Sequence, residues 1–132
     1  MTLSLSFVKF VGKGVTMPAL YTQREVGGVV LVDVKGRITL GEGTSGLRDQ
    51  IRELANNGKK KVVLNLCDTW YVDSSGVGEL ISSFETLKAQ GAVLKLLALT
   101  KRVKDTLLIT KMYTVFECHD DEAAAVRSFE GN

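Results

Sequence analysis

Two kinds of hydrophobic spacing alternate along the chain from about residue 21 onward. Continuous apolar runs at residues 62–66 and 93–99 are typical of strands that are buried on both faces of a parallel sheet. Between and after these runs, apolar side chains recur every three or four residues, which predicts helices with one buried face. The three helical stripes are Leu47, Ile51, Leu54 and Ala55, then Val77, Leu80, Ile81, Phe84 and Leu87, and then Val103, Leu107 and Leu108.

The two ends of this alternation add further elements. Residues 21–26 and 29–34 are β-prone runs joined by two glycines, a dipeptide suited to a tight hairpin turn. After the third helix, residues 115–116 predict a short last strand, and Asp120 is placed to cap a final helix. The order β-β-α-β-α-β-α-β-α predicts an α/β domain with a mixed, mostly parallel sheet and right-handed crossovers.

Composition limits the class of protein. The 132 residues carry 17 Lys+Arg and 15 Asp+Glu, a formal net charge of +2, and 45% of them are hydrophobic. That apolar content can line the core of one domain, and it excludes disordered and collagen-like chains. The longest apolar runs are far shorter than the ~20 residues of a membrane span, so we expect none. The near-neutral charge lacks the strong basic field typical of nucleic-acid binding, and we expect no nucleic-acid partner.

The first 18 residues stand apart from the rest of the chain. They are apolar in part, but Lys9 interrupts them, and they lack the basic start and small-residue cleavage site of a signal peptide. Pro18, the single proline, marks a boundary. We therefore expect residues 1–18 to be an N-terminal extension, either disordered or an extra strand, and residues 19–132 to form the domain.

The cysteines bear on the cellular compartment. Cys67 and Cys118 are the only two, and neither lies in a spacing that binds metal. Buried free thiols are the favoured interpretation, and a disulfide is the alternative. The sequence accordingly predicts an intracellular protein without a metal site.

Residues 41–46, G-E-G-T-S-G, match the dinucleotide-binding pattern G-x-G-x-x-G, and Asp68 follows at about the position of a ribose-binding acid. A dinucleotide site normally needs two mononucleotide-binding halves, and this chain is barely long enough for one. A flexible turn and a helix start is the favoured interpretation. A nucleotide-binding enzyme is the least favoured hypothesis, and we expect no cofactor.

Residues 73–78, D-S-S-G-V-G, join a strand-like segment to the second helix. Capping of that helix would account for one of the two serines, Ser74 and Ser75. The segment is not a nucleophile elbow, because the first glycine of G-x-S-x-G is missing. The one histidine, His119, lies two strands and a helix further on and is interpreted as a surface residue, so we predict no catalytic residues. An exposed serine without catalytic partners fits a substrate of another protein's kinase.

The stretch from the buried strand through this turn resembles a known family. V-V-L-N-L-C-D at residues 62–68 and Y-V-D-S-S-G-V-G-E-L at residues 71–80 are similar to the STAS domain of bacterial anti-sigma factor antagonists, also called anti-anti-sigma factors. The resemblance covers about residues 20–130. It implies a four- to five-stranded sheet with about four helices packed largely on one side. It also implies that the first serine after the aspartate, Ser74, is phosphorylated by an anti-sigma factor with a histidine-kinase-like ATPase fold.

The resemblance further implies a non-enzymatic, cytoplasmic regulator. In that family the unphosphorylated antagonist binds the anti-sigma factor and frees the sigma factor, and phosphorylation switches this binding off. Carried over by position, the partner-binding residues are Asp73, Ser75, Gly76, Gly78, Thr39, Gly41, Gly43 and Thr44. Thr39 stands where many members have an acidic residue, a departure that bears on partner choice. We expect a monomer or weak homodimer, and the alternative function is a STAS scaffold subunit of a signalling or transporter-associated complex.

Overall fold

The computed structural model of the protein describes residues 8–10 and 19–130. These residues form a mixed sheet of six strands and four α-helices. The strands are β1 (Val8–Phe10), β2 (Ala19–Val26), β3 (Val29–Ile38), β4 (Lys61–Val72), β5 (Val93–Leu97) and β6 (Cys118–His119). The helices are α1 (Glu42–Asn56), α2 (Ser74–Lys88), α3 (Lys101–Ile109) and α4 (Glu122–Arg127). The predicted α/β class is confirmed.

The strands lie in the sheet in the order in which they occur along the chain. β1, β2 and β3 pair antiparallel, and β3 to β6 pair parallel, with one helix in each connection between them. The turn between β2 and β3 is formed by Gly27 and Gly28, both with positive φ, as a two-residue hairpin turn requires. The predicted hairpin and mostly parallel sheet are both confirmed.

The number of strands depends on the N-terminal extension. Residues 19–130 supply five strands, in agreement with the predicted four- to five-stranded sheet. β1 comes from the extension and pairs with β2, with Phe10 and Leu20 as register partners. The remainder of the prediction for residues 1–18 lies outside the described residues.

The helices cover the two faces of the sheet unequally. Helices α1, α2 and α3 pack on one face, over the larger core, to which they contribute Leu47, Ile51, Leu54, Val77, Leu80, Leu87, Val103 and Leu107. The six-residue helix α4 packs on the other face, over a smaller cluster of Val29, Leu31, Val63, Leu97, Ala125 and Phe129. The helices described thus lie largely on one side, as predicted.

Two predictions near the C-terminus were wrong in position. Residues 115–116 do not form the last strand, because Tyr113–Val115 is a short 3₁₀ helix and Phe116 packs edge-on against Phe84, with ring centroids 5.7 Å apart. The strand follows instead at Cys118–His119. The final helix is capped by Asp121, whose carboxylate accepts a hydrogen bond from the Ala124 amide at 2.9 Å, rather than by Asp120.

The cysteines are both free, but the expectation that both are buried was wrong. Cys118 is half-buried and Cys67 is exposed. Cys67 lines an open groove beside Leu20 and Lys35, on the same face of the sheet as α4. It stays accessible because the short helix α4 covers a different part of that face.

Candidate functional site

The candidate site lies where two glycine-rich helix starts meet. β3 and β4 are parallel neighbours, and their last residues, Ile38 and Val72, are register partners. Helices α1 and α2 follow these strands after short connections, so both begin at the same edge of the sheet. The fold therefore brings residues 41–46 and residues 73–78, the two motifs of the sequence analysis, side by side.

Asp73 joins the two helix starts. One carboxylate oxygen, Oδ1, accepts a hydrogen bond from the Gly76 amide at 2.7 Å, and the other, Oδ2, accepts one from the Leu40 amide at 3.1 Å. The Asp73 amide in turn donates to the Ile38 carbonyl oxygen at 3.3 Å. Asp73 is thus the N-cap of α2, so the alternative interpretation, in which one of the serines caps this helix, is wrong.

Because Asp73 caps α2, the Ser74 hydroxyl is not used for capping. Ser74 is the first residue of α2 and is exposed, whereas Ser75 is half-buried. Within residues 19–130, the Ser74 hydroxyl makes no hydrogen bond to another side chain or to the backbone. The first intrahelical bond runs from the Val77 amide to the Asp73 carbonyl at 2.9 Å, so the Ser74 and Ser75 amides stay available as donors at the positive end of the helix.

The two glycines of the α2 start differ in what they do. A Cβ atom on Gly76 would lie 2.1 Å from the Ile38 carbonyl oxygen and 2.7 Å from Val72 Cγ1, so only glycine fits there. Gly78 is exposed, and a Cβ atom on it would meet nothing within 4 Å. Gly76 sets the backbone beneath Ser74, and Gly78 has no such packing role.

The loop before α1 is held by its own backbone. The Thr39 carbonyl accepts a hydrogen bond from the Thr44 amide at 3.0 Å, and the buried Thr44 hydroxyl donates to the Gly41 carbonyl at 3.1 Å. Gly41 has a φ of 103°, which a side-chain-bearing residue rarely adopts. The hydroxyl of Ser45 also bonds within this turn, to the Glu42 carbonyl at 3.3 Å.

The remaining glycines of residues 41–46 pack against Tyr21 on β2. The Tyr21 hydroxyl donates to the Gly43 carbonyl at 2.8 Å, and a Cβ atom on Gly46 would lie 2.8 Å from the Tyr21 ring. Both glycines are buried inside α1 rather than in a loop. The predicted helix start is confirmed, and these glycines form no open cradle for a nucleotide phosphate.

Sequence reasoning missed Leu40. Its side chain is 77% exposed, and its amide donates to Asp73, so the loop that carries Leu40 lies beside the start of α2. In the sequence, Leu40 looks like the last residue of a strand with several apolar residues. No sequence feature indicates that the strand already ends at Ile38. The exposure follows from the turn into α1.

His119 does not approach this site. It is half-buried in β6 rather than on the surface, and its Nε2 lies 2.6 Å from a Glu117 carboxylate oxygen. Hydrogen bonds from His119 and Lys95 hold the pKa of Glu117 below its usual value. β6 is two strands from β4, roughly 10 Å across the sheet, so the only histidine gives Ser74 no general base.

Solved structures share this fold. An anti-sigma factor antagonist from Mycobacterium paratuberculosis superposes with a TM-score of 0.70 at 17% identity, covering 82% of this chain and 91% of that one. The Bacillus cell fate determinant SpoIIAA in its phosphorylated form gives 0.65 at 16% identity, covering 83% and 99%. The murine anion transporter Slc26a9 gives 0.69 at 16% identity, covering 82% of this chain and 18% of the transporter.

The family assignment rests on the sequence profile. Among the residues that the structure describes, no helix has the length and apolar character needed to cross a membrane. The profile of the STAS domain matches residues 21–125, which span β2 to α4 and include both helix starts. The chain therefore belongs to the STAS domain family.

Proposed function

We propose that this STAS domain is a non-enzymatic, cytoplasmic anti-sigma factor antagonist that is regulated by phosphorylation of Ser74. Unphosphorylated, it binds an anti-sigma factor with serine kinase activity and so frees a sigma factor for transcription. The observation that carries the proposal is the Ser74 hydroxyl, which is exposed and unbonded on a backbone fixed by Asp73 and Gly76. The family match and the likeness to antagonist structures support it.

The start of α2 suits a phosphate. Phosphorylation adds about −1.5 to −2 charges, and the helix dipole together with the free Ser74 and Ser75 amides favours negative charge at this end. The modification therefore leaves the domain folded. It also places this charge beside the Asp73 carboxylate, which makes the local surface strongly negative. Binding is lost because the partner was complementary to the uncharged surface.

The proposed docking surface comprises both helix starts. Thr39, Leu40, Gly41, Asp73 and Ser75 surround Ser74 and contact the partner, with Leu40 as the apolar contact. Three further predicted residues, Gly43, Thr44 and Gly76, are buried and act by positioning this surface. Gly78 lies one turn further along α2, at the rim of the proposed docking surface. Truncating Leu40 to alanine should weaken partner binding about tenfold, as loss of a central apolar anchor does.

The proposal is tested with a candidate anti-sigma kinase, ATP and calorimetry. We expect the wild-type protein and Ser74→Ala to bind, and Ser74→Asp to bind at least about tenfold more weakly, because it places a charge in a desolvated contact. Thr114→Asp, at an exposed position of the 3₁₀ helix outside the proposed docking surface, is the control and should bind as the wild-type protein does. Equal binding by Ser74→Asp and the wild-type protein would contradict the proposal.

A second candidate function is a scaffold subunit of a signalling or transporter-associated complex. The likeness to a domain of the Slc26a9 transporter favours it, since the same fold occurs inside a much larger chain there. Light scattering separates the two, because an antagonist is a monomer or weak homodimer and a scaffold subunit assembles into large particles.

A further inference from the structure

A polar cleft separates α1 from α2, away from the Ser74 surface along both helices. Its volume is about 140 Å³. Arg48 and Arg52 line it from α1, and Glu79, Ser82, Ser83 and Thr86 line it from α2. The proposed phosphorylation switch does not use any of these side chains.

The cleft carries a surplus of positive charge. One Arg48 guanidinium nitrogen lies 2.7 Å from Glu79 Oε1, so this pair spans the cleft and is neutral overall. The Glu79 side chain is only 8% exposed, whereas the Arg48 side chain is 45% exposed and keeps further N–H donors open. Arg52 follows one helical turn after Arg48, is exposed, and forms no ion pair within residues 19–130. The lining therefore has a net charge of +1 from Arg48, Arg52 and Glu79.

The cleft also contains a buried serine, Ser83, whose hydroxyl is unsatisfied. It is 1% exposed, and its hydroxyl oxygen has no hydrogen-bond partner among the described residues. A buried hydroxyl without a partner is costly, and such a group often marks a place where a ligand completes the hydrogen bonding. Because Ser83 also lines the cleft, a shift of its side chain is needed to bring this buried hydroxyl to a group bound there.

We propose that this cleft binds a small tetrahedral oxyanion, of which inorganic phosphate is the simplest. Donors come from the guanidinium groups on one wall, from Ser82 and Thr86 on the other, and from the buried Ser83. A carboxylate presents two oxygens in one plane, whereas a tetrahedral anion presents four oxygens in different directions and can accept hydrogen bonds from both walls at once. The volume also suffices, since a cavity of about 10–15 Å³ already admits one water and the cleft is roughly ten times larger.

The test is a titration of the ¹⁵N-labelled full chain with phosphate, followed by amide chemical shifts at constant ionic strength. We expect saturable shifts in the amides of residues 48–52 and 79–86, with half-saturation at ~1–5 mM. Acetate should bind at least about fivefold more weakly if the site is tetrahedral. Shifts that rise linearly and spread over the whole surface would show charge screening only and would overturn the proposal. Equal affinity for acetate would overturn the tetrahedral assignment.

Variants separate the cleft from general charge effects. Arg52→Gln should weaken phosphate binding about tenfold, and Ser83→Ala should weaken it several-fold without unfolding the protein. Arg127→Gln, on the exposed side of α4 across the sheet, is the matched control and should leave the affinity unchanged. If the Arg127 variant lost as much affinity as the Arg52 variant, the site would not be this cleft. The result does not depend on Ser74 or on a kinase partner.

Discussion

The starts of α1 and α2 are alike in sequence and different in structure. Both follow a parallel strand, both are rich in glycine and hydroxyl side chains, and both lie at one edge of the sheet. At the α1 start the hydroxyls of Thr44 and Ser45 bond to the backbone of their own turn. At the α2 start a carboxylate, Asp73, takes over the capping and leaves the Ser74 hydroxyl free.

The difference shows how a helix start can leave a serine hydroxyl open to modification. A serine that caps a helix uses its oxygen for structure, and phosphorylating it would break the cap. Because Asp73 provides the cap, the Ser74 hydroxyl is not needed for structure and stays open to chemical modification. The glycines of the two helix starts also differ in what they pack against. Gly43 and Gly46 of α1 contact Tyr21, whereas Gly76 of α2 packs against the Ile38 carbonyl. Four substitutions test this contrast, from the largest expected effect to the smallest.

The largest effect is expected from Gly76→Ala. The new methyl group would overlap the Ile38 carbonyl oxygen, so β3 and α2 must separate. Overpacking of this kind costs about 3 kcal/mol of unfolding free energy, measured by urea denaturation. Gly78→Ala is the matched control, and it should stabilise the protein by about 0.5 kcal/mol because alanine favours a helix. Similar losses in both variants would show that the α2 start is not built as described.

Asp73→Ala should cost about 2 kcal/mol, because it removes the cap on Gly76 and the bond to Leu40 together. Asp73→Asn keeps one oxygen for the Gly76 amide and loses the acceptor for Leu40, so about half of that cost is expected. Hydrogen exchange of the Leu40 amide should quicken in both variants. If exchange at Leu40 were unchanged, Asp73 would not connect the two helix starts.

Tyr21→Phe tests the α1 start and should cost about 1 kcal/mol near pH 8, because the Gly43 carbonyl loses its partner. Burial, and then the Glu79 carboxylate, raise the pKa of Tyr21 above its ordinary value. The unfolded chain therefore releases the tyrosine proton at a lower pH than the folded chain does. This contribution to wild-type stability is complete below about pH 10 and falls at higher pH.

The pH dependence of Tyr21 is read from urea midpoints at pH 8 and at pH 11. The advantage of the wild-type protein over Tyr21→Phe should shrink at pH 11, because the phenylalanine variant has no proton to lose at this position. A gap that widened with pH would contradict the burial of a protonated Tyr21 hydroxyl against α1.

The smallest effect on folding is expected from Ser74→Ala. Because the Ser74 side chain is exposed, the unfolding free energy should change by less than about 0.5 kcal/mol. Ser74→Asp should be stabilising by a few tenths, since negative charge is favourable at a helix N-terminus. These measurements separate a loss of partner binding from a loss of folding. A large destabilisation by either variant would mean that Ser74 has a structural role.

Periodicity was enough to predict the sheet, the hairpin and three of the helices. Each of these elements has a hydrophobic pattern that matches one geometry over many residues. The elements near the C-terminus could not be placed as well, because strands and helices of two to six residues depend on tertiary packing. Phe116 shows this, since it packs against Phe84 directly after a 3₁₀ helix, where a strand was predicted.

The candidate site was predictable only in part for a similar reason. The D-S-S-G motif located Ser74, but the bond from Leu40 to Asp73 joins residues 33 positions apart, and no local pattern reports it. The exposure of Leu40 and the capping by Asp73 follow from that contact. The cleft between α1 and α2 likewise depends on the pairing of Arg48 with Glu79, 31 residues away.

The central claim is that a kinase modifies Ser74 and no other hydroxyl at the two helix starts. The most direct measurement is mass spectrometry of the full chain after incubation with ATP and the candidate anti-sigma kinase. We expect a single phosphate on Ser74 that is absent from Ser74→Ala and retained in Ser75→Ala and Thr44→Ala. A phosphate on Ser75, Thr44 or Ser45, or an unmodified protein under conditions in which it binds the active kinase, would contradict the account.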